Sequence, residues 1–114
     1  MATTIYGIPN CDTVKKARKW CDSSGVTYRF VDLRENPVGV PVLATWLNAV
    51  GEALLNRRST TWKQLTADQR ADAESDAALL MNQYPTLIKR PVLVHEGRVS
   101  VGFKPDEYAA LFGL

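Results

Sequence analysis

The sequence is short of the residues that metal centres and disulfide frameworks need. Its 114 residues include two cysteines and one histidine. Cys11, Cys21 and His95 are scattered too widely for a metal-ligating cluster, and two cysteines make no disulfide framework. Long apolar runs are also missing, so no transmembrane helix is expected. The N-terminal stretch MATTIYGIPNCD lacks the basic start and apolar core of a signal peptide. The expectation is a cytosolic protein with reduced thiols. Nor is there an excess of charge of one sign: 14 basic and 12 acidic residues leave a net charge of +2. That is too weak a bias to argue for a nucleic-acid or membrane partner. The remainder is an ordinary globular balance, 46% apolar and 23% charged, enough to bury a core in one domain spanning residues 1–114.

Periodicity then divides the chain. Thr3 to Gly7 is short, β-branched and aromatic, and is stopped by Gly7 and Pro9, which predicts a strand. Val14, Ala17 and Cys21 recur at helical spacing, so a helix is predicted from about Cys11 to Ser24, with Gly25 as its stop. Val26 to Leu33 is rich in β-formers. Strand, helix and strand so close together imply a right-handed βαβ unit with parallel strands.

The middle of the chain is helical. Pro41 opens a predicted helix to Val50, with Leu43, Leu47 and Val50 on one face and Gly51 past its end. Thr66 with Gln69 has the form of a capping box, heading one helix or two short ones as far as Tyr84. Leu79, Leu80 and Met81 anchor the second half. Pro91–His95 and Arg98–Gly102 flank Glu96-Gly97 and predict a β-hairpin. Pro105 opens a last helix with Asp106 and Glu107 in its first turn. This order predicts an α/β fold: a thioredoxin-like, mixed four-stranded sheet with a helical subdomain inserted at about residues 41–84.

Cys11 is the candidate nucleophile. It falls just after the first strand, where the following helix begins. Ligands in open α/β sheets gather at that end of the strands. A helix N-terminus offers free N–H groups and partial positive charge, which favour the thiolate, the reactive form of cysteine. Lys15 and Lys16 add positive potential, and the flanks Pro9-Asn10 and Asp12-Thr13 are polar rather than core-like. The commoner fate of a free cysteine is burial without reactivity, and Cys21, on the Val14–Ala17 stripe, has that character. The two thiols lie about 15 Å apart along an intact helix, whereas a disulfide needs Cα atoms within about 7 Å. Val14, not cysteine, occupies the usual redox spacing from Cys11. Any redox cycle is therefore monothiol and needs an external thiol. His95 beside the hairpin turn reads as exposed and inert. Asp32 reads as a turn former, and Tyr6, Trp20, Trp46 and Trp62 as packing residues.

The block Tyr6-Gly7-Ile8-Pro9-Asn10-Cys11-Asp12-Thr13-Val14-Lys15-Lys16-Ala17 resembles the arsenate reductase family, closest to its small YffB-like and Spx-like branch. Leu87-Ile88-Lys89-Arg90-Pro91-Val92-Leu93-Val94 is a second matching block, and Arg57-Arg58-Ser59 matches in placement. The resemblance spans nearly the whole chain. It implies a thioredoxin-like fold with an inserted helical subdomain and Cys11 as the attacking thiol. An oxyanion would be held by Arg90 and by Arg57 or Arg58, with the register open between those two. It implies that Pro91 is a cis-proline and places Asn10 beside the substrate. At the family's third arginine this chain has Lys104, which keeps the charge but lacks the planar fork; Arg98 is the alternative source of a third guanidinium.

The implied activity is that of a monothiol oxidoreductase with no bound cofactor. It would use reduced glutathione, or a glutaredoxin-like partner, against a small oxyanion or a mixed disulfide, and act as a monomer. The alternative implied by the same superfamily is a Spx-like regulator that binds RNA polymerase without turnover. Redox-sensing members of that group carry a two-cysteine switch, which Val14 breaks.

Overall fold

The computed structural model describes residues 3–114. The chain forms two compact units: one built from the chain up to Asn36 together with Arg90–Leu114, the other from Pro37–Lys89.

The first unit holds the sheet. Strand β1 (Thr3–Gly7) leads into helix α1 (Asp12–Ser23), which returns to β2 (Arg29–Asp32). After the second unit come β3 (Val92–His95) and β4 (Arg98–Val101). The sheet order is β2-β1-β3-β4. β1 and β2 pair in parallel, with Ile5 opposite Phe30. β3 is antiparallel to both of its neighbours, with Ile5 opposite Leu93 and Val94 opposite Val99. This is the thioredoxin-like mixed sheet expected from the element order.

Its core follows from the α1 stripe. Ile5, Ala17, Cys21, Leu93 and Tyr108 form one buried cluster, with Trp20, Phe103 and Phe112 packed around it. Tyr108 meets Trp20 and Phe103 edge-to-face, with ring centroids 5.7 and 4.8 Å apart, a favoured aromatic geometry. The hairpin turns through Glu96 and Gly97, both at positive φ, where glycine carries no Cβ penalty.

β2 is shorter than the predicted Val26–Leu33 strand. The Val26 N–H donates to the Cys21 carbonyl, so residues 26–28 close the C-terminus of α1 instead of extending the ladder. Asp32 forms a turn as expected: its carboxylate accepts the Arg34 N–H at 2.9 Å. His95 departs from expectation. Its ring is only 16% exposed, its Nδ1 lies 2.7 Å from Thr3 Oγ1, and it packs on Phe112 at 4.6 Å. The strand pairing that sets Thr3 opposite His95 tucks it in.

The second unit is helical: α2 (Val40–Val50), α3 (Thr60–Gln64), α4 (Ala67–Ser75) and α5 (Ala77–Gln83), with short 3-10 turns at Gly51–Leu54 and Pro85–Leu87. Both hydrogen bonds of the Thr66–Gln69 capping box are made. Asp76 breaks the long helical stretch: it leaves the helical conformation and its side chain caps α5 at the Leu79 N–H. That break turns Leu79 outward, 45% exposed, while Leu80 and Met81 are buried. On α2 the buried residues are Leu43 and Trp46; the expected Leu47 and Val50 are only half-buried. The chain closes with α6 (Pro105–Phe112) in the first unit. Among the described residues no helix is long and apolar enough to cross a membrane.

Candidate functional site

Cys11 is the N-cap of α1, in extended conformation, and its side chain makes no capping hydrogen bond. Its own N–H donates to the Ile8 carbonyl at 3.1 Å, and its carbonyl accepts the Lys15 N–H at 2.9 Å. The backbone is thus fixed on both sides of the thiol. An N-cap side chain is the group nearest the N–H donors of the first turn, which have no intrahelical partner. The thiol is half-buried and free. Gly7 permits this arrangement, because any Cβ there would stand 2.7 Å from Val14 Cγ2. The strand end and the helix start touch through that missing side chain. Pro9 and Asn10 form the exposed turn between them.

Pairing brings two further segments to this end of the sheet. Tyr6 is opposite Val92, so Arg90 and Pro91 enter the sheet where β1 leaves it. The Arg90–Pro91 bond is cis. Val92 is opposite Val101, and the Gly102 N–H donates to the Pro91 carbonyl at 2.9 Å. Lys104 follows as the exposed N-cap of α6. Asn10, Cys11, Arg90, Pro91 and Lys104 therefore share one end of the first unit. Arg98 does not: it pairs with His95 at the hairpin turn, about 10 Å away along the strand at β-spacing. Strand register therefore separates Arg98 from this group, to which Lys104 belongs.

Arg90 has an unusual environment. Its Nε and Nη1 are shielded from solvent and have no hydrogen-bond partner. Buried donors left unpaired cost about 1–3 kcal/mol each, more when charged. These unpaired donors leave Arg90 with hydrogen-bonding capacity that the protein itself does not fill.

Cys21 is fully buried. Burial, with a smaller contribution from the Asp22 carboxylate, pushes its thiol up to about 11. It is core filler, as its place on the stripe indicated. Among the described residues no group of His, Cys, Asp and Glu could hold a metal ion.

Arg57 and Arg58 belong to the helical unit. Arg57 lies 3.8 Å from Glu52 and 5.5 Å above the Trp62 ring. Arg58 is exposed; its backbone N–H donates to Asn56 Oδ1, and its side chain makes no ion pair among the described residues. Trp62, expected to serve packing alone, is also approached by Arg70 at 5.8 Å.

The model of the ArsC family matches residues 6–111. A solved structure named YffB superposes with a TM-score of 0.91 at 45% identity, over 96% of this chain and 98% of its own. An uncharacterized protein of Haemophilus influenzae is 38% identical over 111 residues, 96% of this chain and 97% of its own length. The global transcriptional regulator Spx of Bacillus subtilis is 24% identical over 107 residues, 91% of this chain and 82% of its own.

Proposed function

The chain belongs to the ArsC family, and from that premise we propose that it is a monothiol, glutathione-dependent oxidoreductase with Cys11 as its nucleophile. The observation that carries this reading is Arg90, whose Nε and Nη1 are shielded and unpaired at the same sheet end as a fixed, half-buried thiol.

In the proposed cycle the Cys11 thiolate attacks the glutathione sulfur of a mixed disulfide. A new Cys11–glutathione bond forms as the substrate S–S bond breaks, and the substrate leaves as a thiolate that takes up a proton. A second, reduced glutathione then attacks the adduct, giving oxidised glutathione and restoring the Cys11 thiolate. One reduced glutathione is consumed per turnover: its thiol enters the disulfide as the substrate thiol is released, and the other half of the oxidised glutathione comes from the mixed disulfide. Cys21 cannot replace the second thiol, because it is buried and lies ten positions along α1. Arg90 holds the anionic group, and Asn10 and Lys104 line the same end. Lys104 offers a point charge where a fork would grip an oxyanion. This favours carboxylate-bearing glutathione adducts over arsenate.

The test is reduction of the mixed disulfide of glutathione with 2-mercaptoethanol. Cys11→Ser should lower turnover by at least about a thousandfold with the fold retained, and Cys21→Ser should leave turnover near wild type. Turnover persisting in Cys11→Ser refutes the reading. Faster reduction of arsenate than of the mixed disulfide, with glutathione and glutaredoxin supplied, would restore the oxyanion as substrate. The likeness to Spx favours a second reading, a regulator that binds RNA polymerase. Stoichiometric capture of polymerase subunits by a protein inactive in both assays would establish that reading instead.

A further inference from the structure

The first unit contains a pocket that the cycle above does not use. It lies between the C-terminal half of α1 and β2, and measures about 540 Å³, within the roughly 300–1,000 Å³ of small-molecule sites. Arg18, Asp22, Val26, Tyr28 and Phe30 are among its lining residues. Arg18 stands seven residues beyond Cys11, about 10 Å along the helix axis. The α1 stripe buries Val14, Ala17 and Cys21 and leaves Arg18 half-buried at its border. The Val26 N–H closes on the Cys21 carbonyl at 2.9 Å, which turns the chain back beside the helix. Tyr28 and Phe30, two positions apart, then pack against the core cluster. Because β2 is an edge strand, no further strand covers this side.

Arg18 is pinned at two points. Its guanidinium carbon lies 4.0 Å from the centroid of the Phe30 ring, a close cation–π contact, and its Nε donates to the Tyr28 hydroxyl at 3.2 Å. Its Nη1 and Nη2 make no hydrogen bond among the described residues. Asp22 stands one turn further along α1, the spacing at which the two side chains would ordinarily pair. Tyr28 and Phe30 hold the guanidinium away from it, and neither charge has an ion-pair partner among the described residues. The pocket therefore presents a fixed cation and an open carboxylate that do not neutralise each other. A ligand of one charge would gain from one group and be repelled by the other. We infer that this pocket is a binding site for a free α-amino acid with an apolar side chain. Its carboxylate accepts from the Arg18 Nη1 and Nη2 fork, its ammonium donates to Asp22, and its side chain lies along Val26 and Tyr28. A guanidinium already held in place loses little further freedom on binding.

The experiment is an NMR titration of the full chain with L-leucine at constant pH and ionic strength. The amides of Asp22, Val26, Tyr28 and Phe30 are followed, and saturable shifts at them are expected. N-acetyl-L-leucine lacks the ammonium and L-leucinamide lacks the carboxylate. Each should bind about tenfold more weakly, the loss of one charge-assisted contact. Arg18→Gln should raise the leucine Kd about tenfold and abolish the difference between leucine and leucinamide. Asp22→Asn, at an exposed position, should do the same for the difference between leucine and its N-acetyl form. Such paired losses are the mark of two groups in direct contact. Cys11→Ser should leave Kd unchanged. Leucine shifts that never saturate overturn the inference. So does either derivative binding as tightly as leucine, because one of the two charges would then make no contact. Because binding is read and not turnover, this outcome is independent of the fate of the glutathione cycle.

Discussion

Gly7 and Val14 meet where β1 gives way to α1: a Cβ on residue 7 would lie 2.7 Å from Cγ2 and 3.1 Å from Cγ1 of Val14. Val14 is fully buried, so it cannot swing aside. Gly7→Ala should therefore cost about 1–3 kcal/mol, the range for overpacking a filled core, read as a lower urea midpoint. It should also slow Cys11 alkylation, because the displaced helix start carries the thiol. Val14→Ala alone opens a cavity and destabilises. Combined with Gly7→Ala, it should cost less than the sum of the two single changes, a non-additivity expected of touching residues. Strict additivity would show that the contact does not set the position of α1.

Tyr108 is fully buried, yet its hydroxyl has no partner among the described residues. The ring, not the hydroxyl, makes the contacts with Trp20 and Phe103. Tyr108→Phe keeps those contacts and removes an unpaired polar group, whose burial costs about 1–3 kcal/mol. The variant should match or exceed wild-type stability, by up to about 1 kcal/mol. A clear loss in thermal or urea unfolding would mean that the hydroxyl is satisfied in solution.

The same core makes the protein sensitive to base. Cys21 is raised from 9.0 to about 11 by burial, with Asp22 adding to it. Tyr108 is raised above its ordinary 10.0 by burial first, then by Cys21 and Glu107. In both cases the fold favours the neutral, protonated form. Above pH 9 the unfolded chain releases the Cys21 proton while the folded chain keeps it, so stability falls with rising pH. The contribution is complete below pH 9 and is lost by about pH 11. The urea midpoint should drop across that window, and Cys21→Ala should flatten the drop, leaving the portion due to Tyr108. Under native conditions at neutral pH one thiol, Cys11, should react with a disulfide reagent, and two should react in denaturant.

Local signals in the sequence carried much of the fold. β1 and α1 followed from a short β-rich run and a three-residue apolar stripe, and the Thr66–Gln69 box from four residues. Cys11 was legible for the same reason, lying at an element boundary marked by Gly7 and Pro9, whereas Arg90 and Pro91 were singled out only through the family resemblance. Features decided by tertiary pairing were not legible. The His95 ring is largely covered because β1 runs beside β3. Leu79 faces outward because Asp76 chose to cap rather than continue a helix. Lys89 meets the Arg57-Arg58 turn only through the Leu55–Ile88 bridge, which no local spacing announces. Arg98, plausible as a ligand by charge, is removed from the site by strand register alone.

Arg90 offers the sharpest separation of function from structure. If its shielded, unpaired guanidinium is kept for an anion, it lowers the stability of the ligand-free protein, and removing it should help folding. Arg90→Met should then raise the urea midpoint, by about 1 kcal/mol, since two shielded donors without partners are replaced by an apolar side chain. In the mixed-disulfide assay the same variant should raise KM by about tenfold or more, the loss of a charge-assisted hydrogen bond. Arg90→Lys should fall between wild type and Met in KM, because it keeps the charge but not the fork. A purely structural arginine predicts the reverse pattern: Met destabilises, and KM stays put in whatever fraction remains folded. Measuring both quantities on the same preparations decides between them.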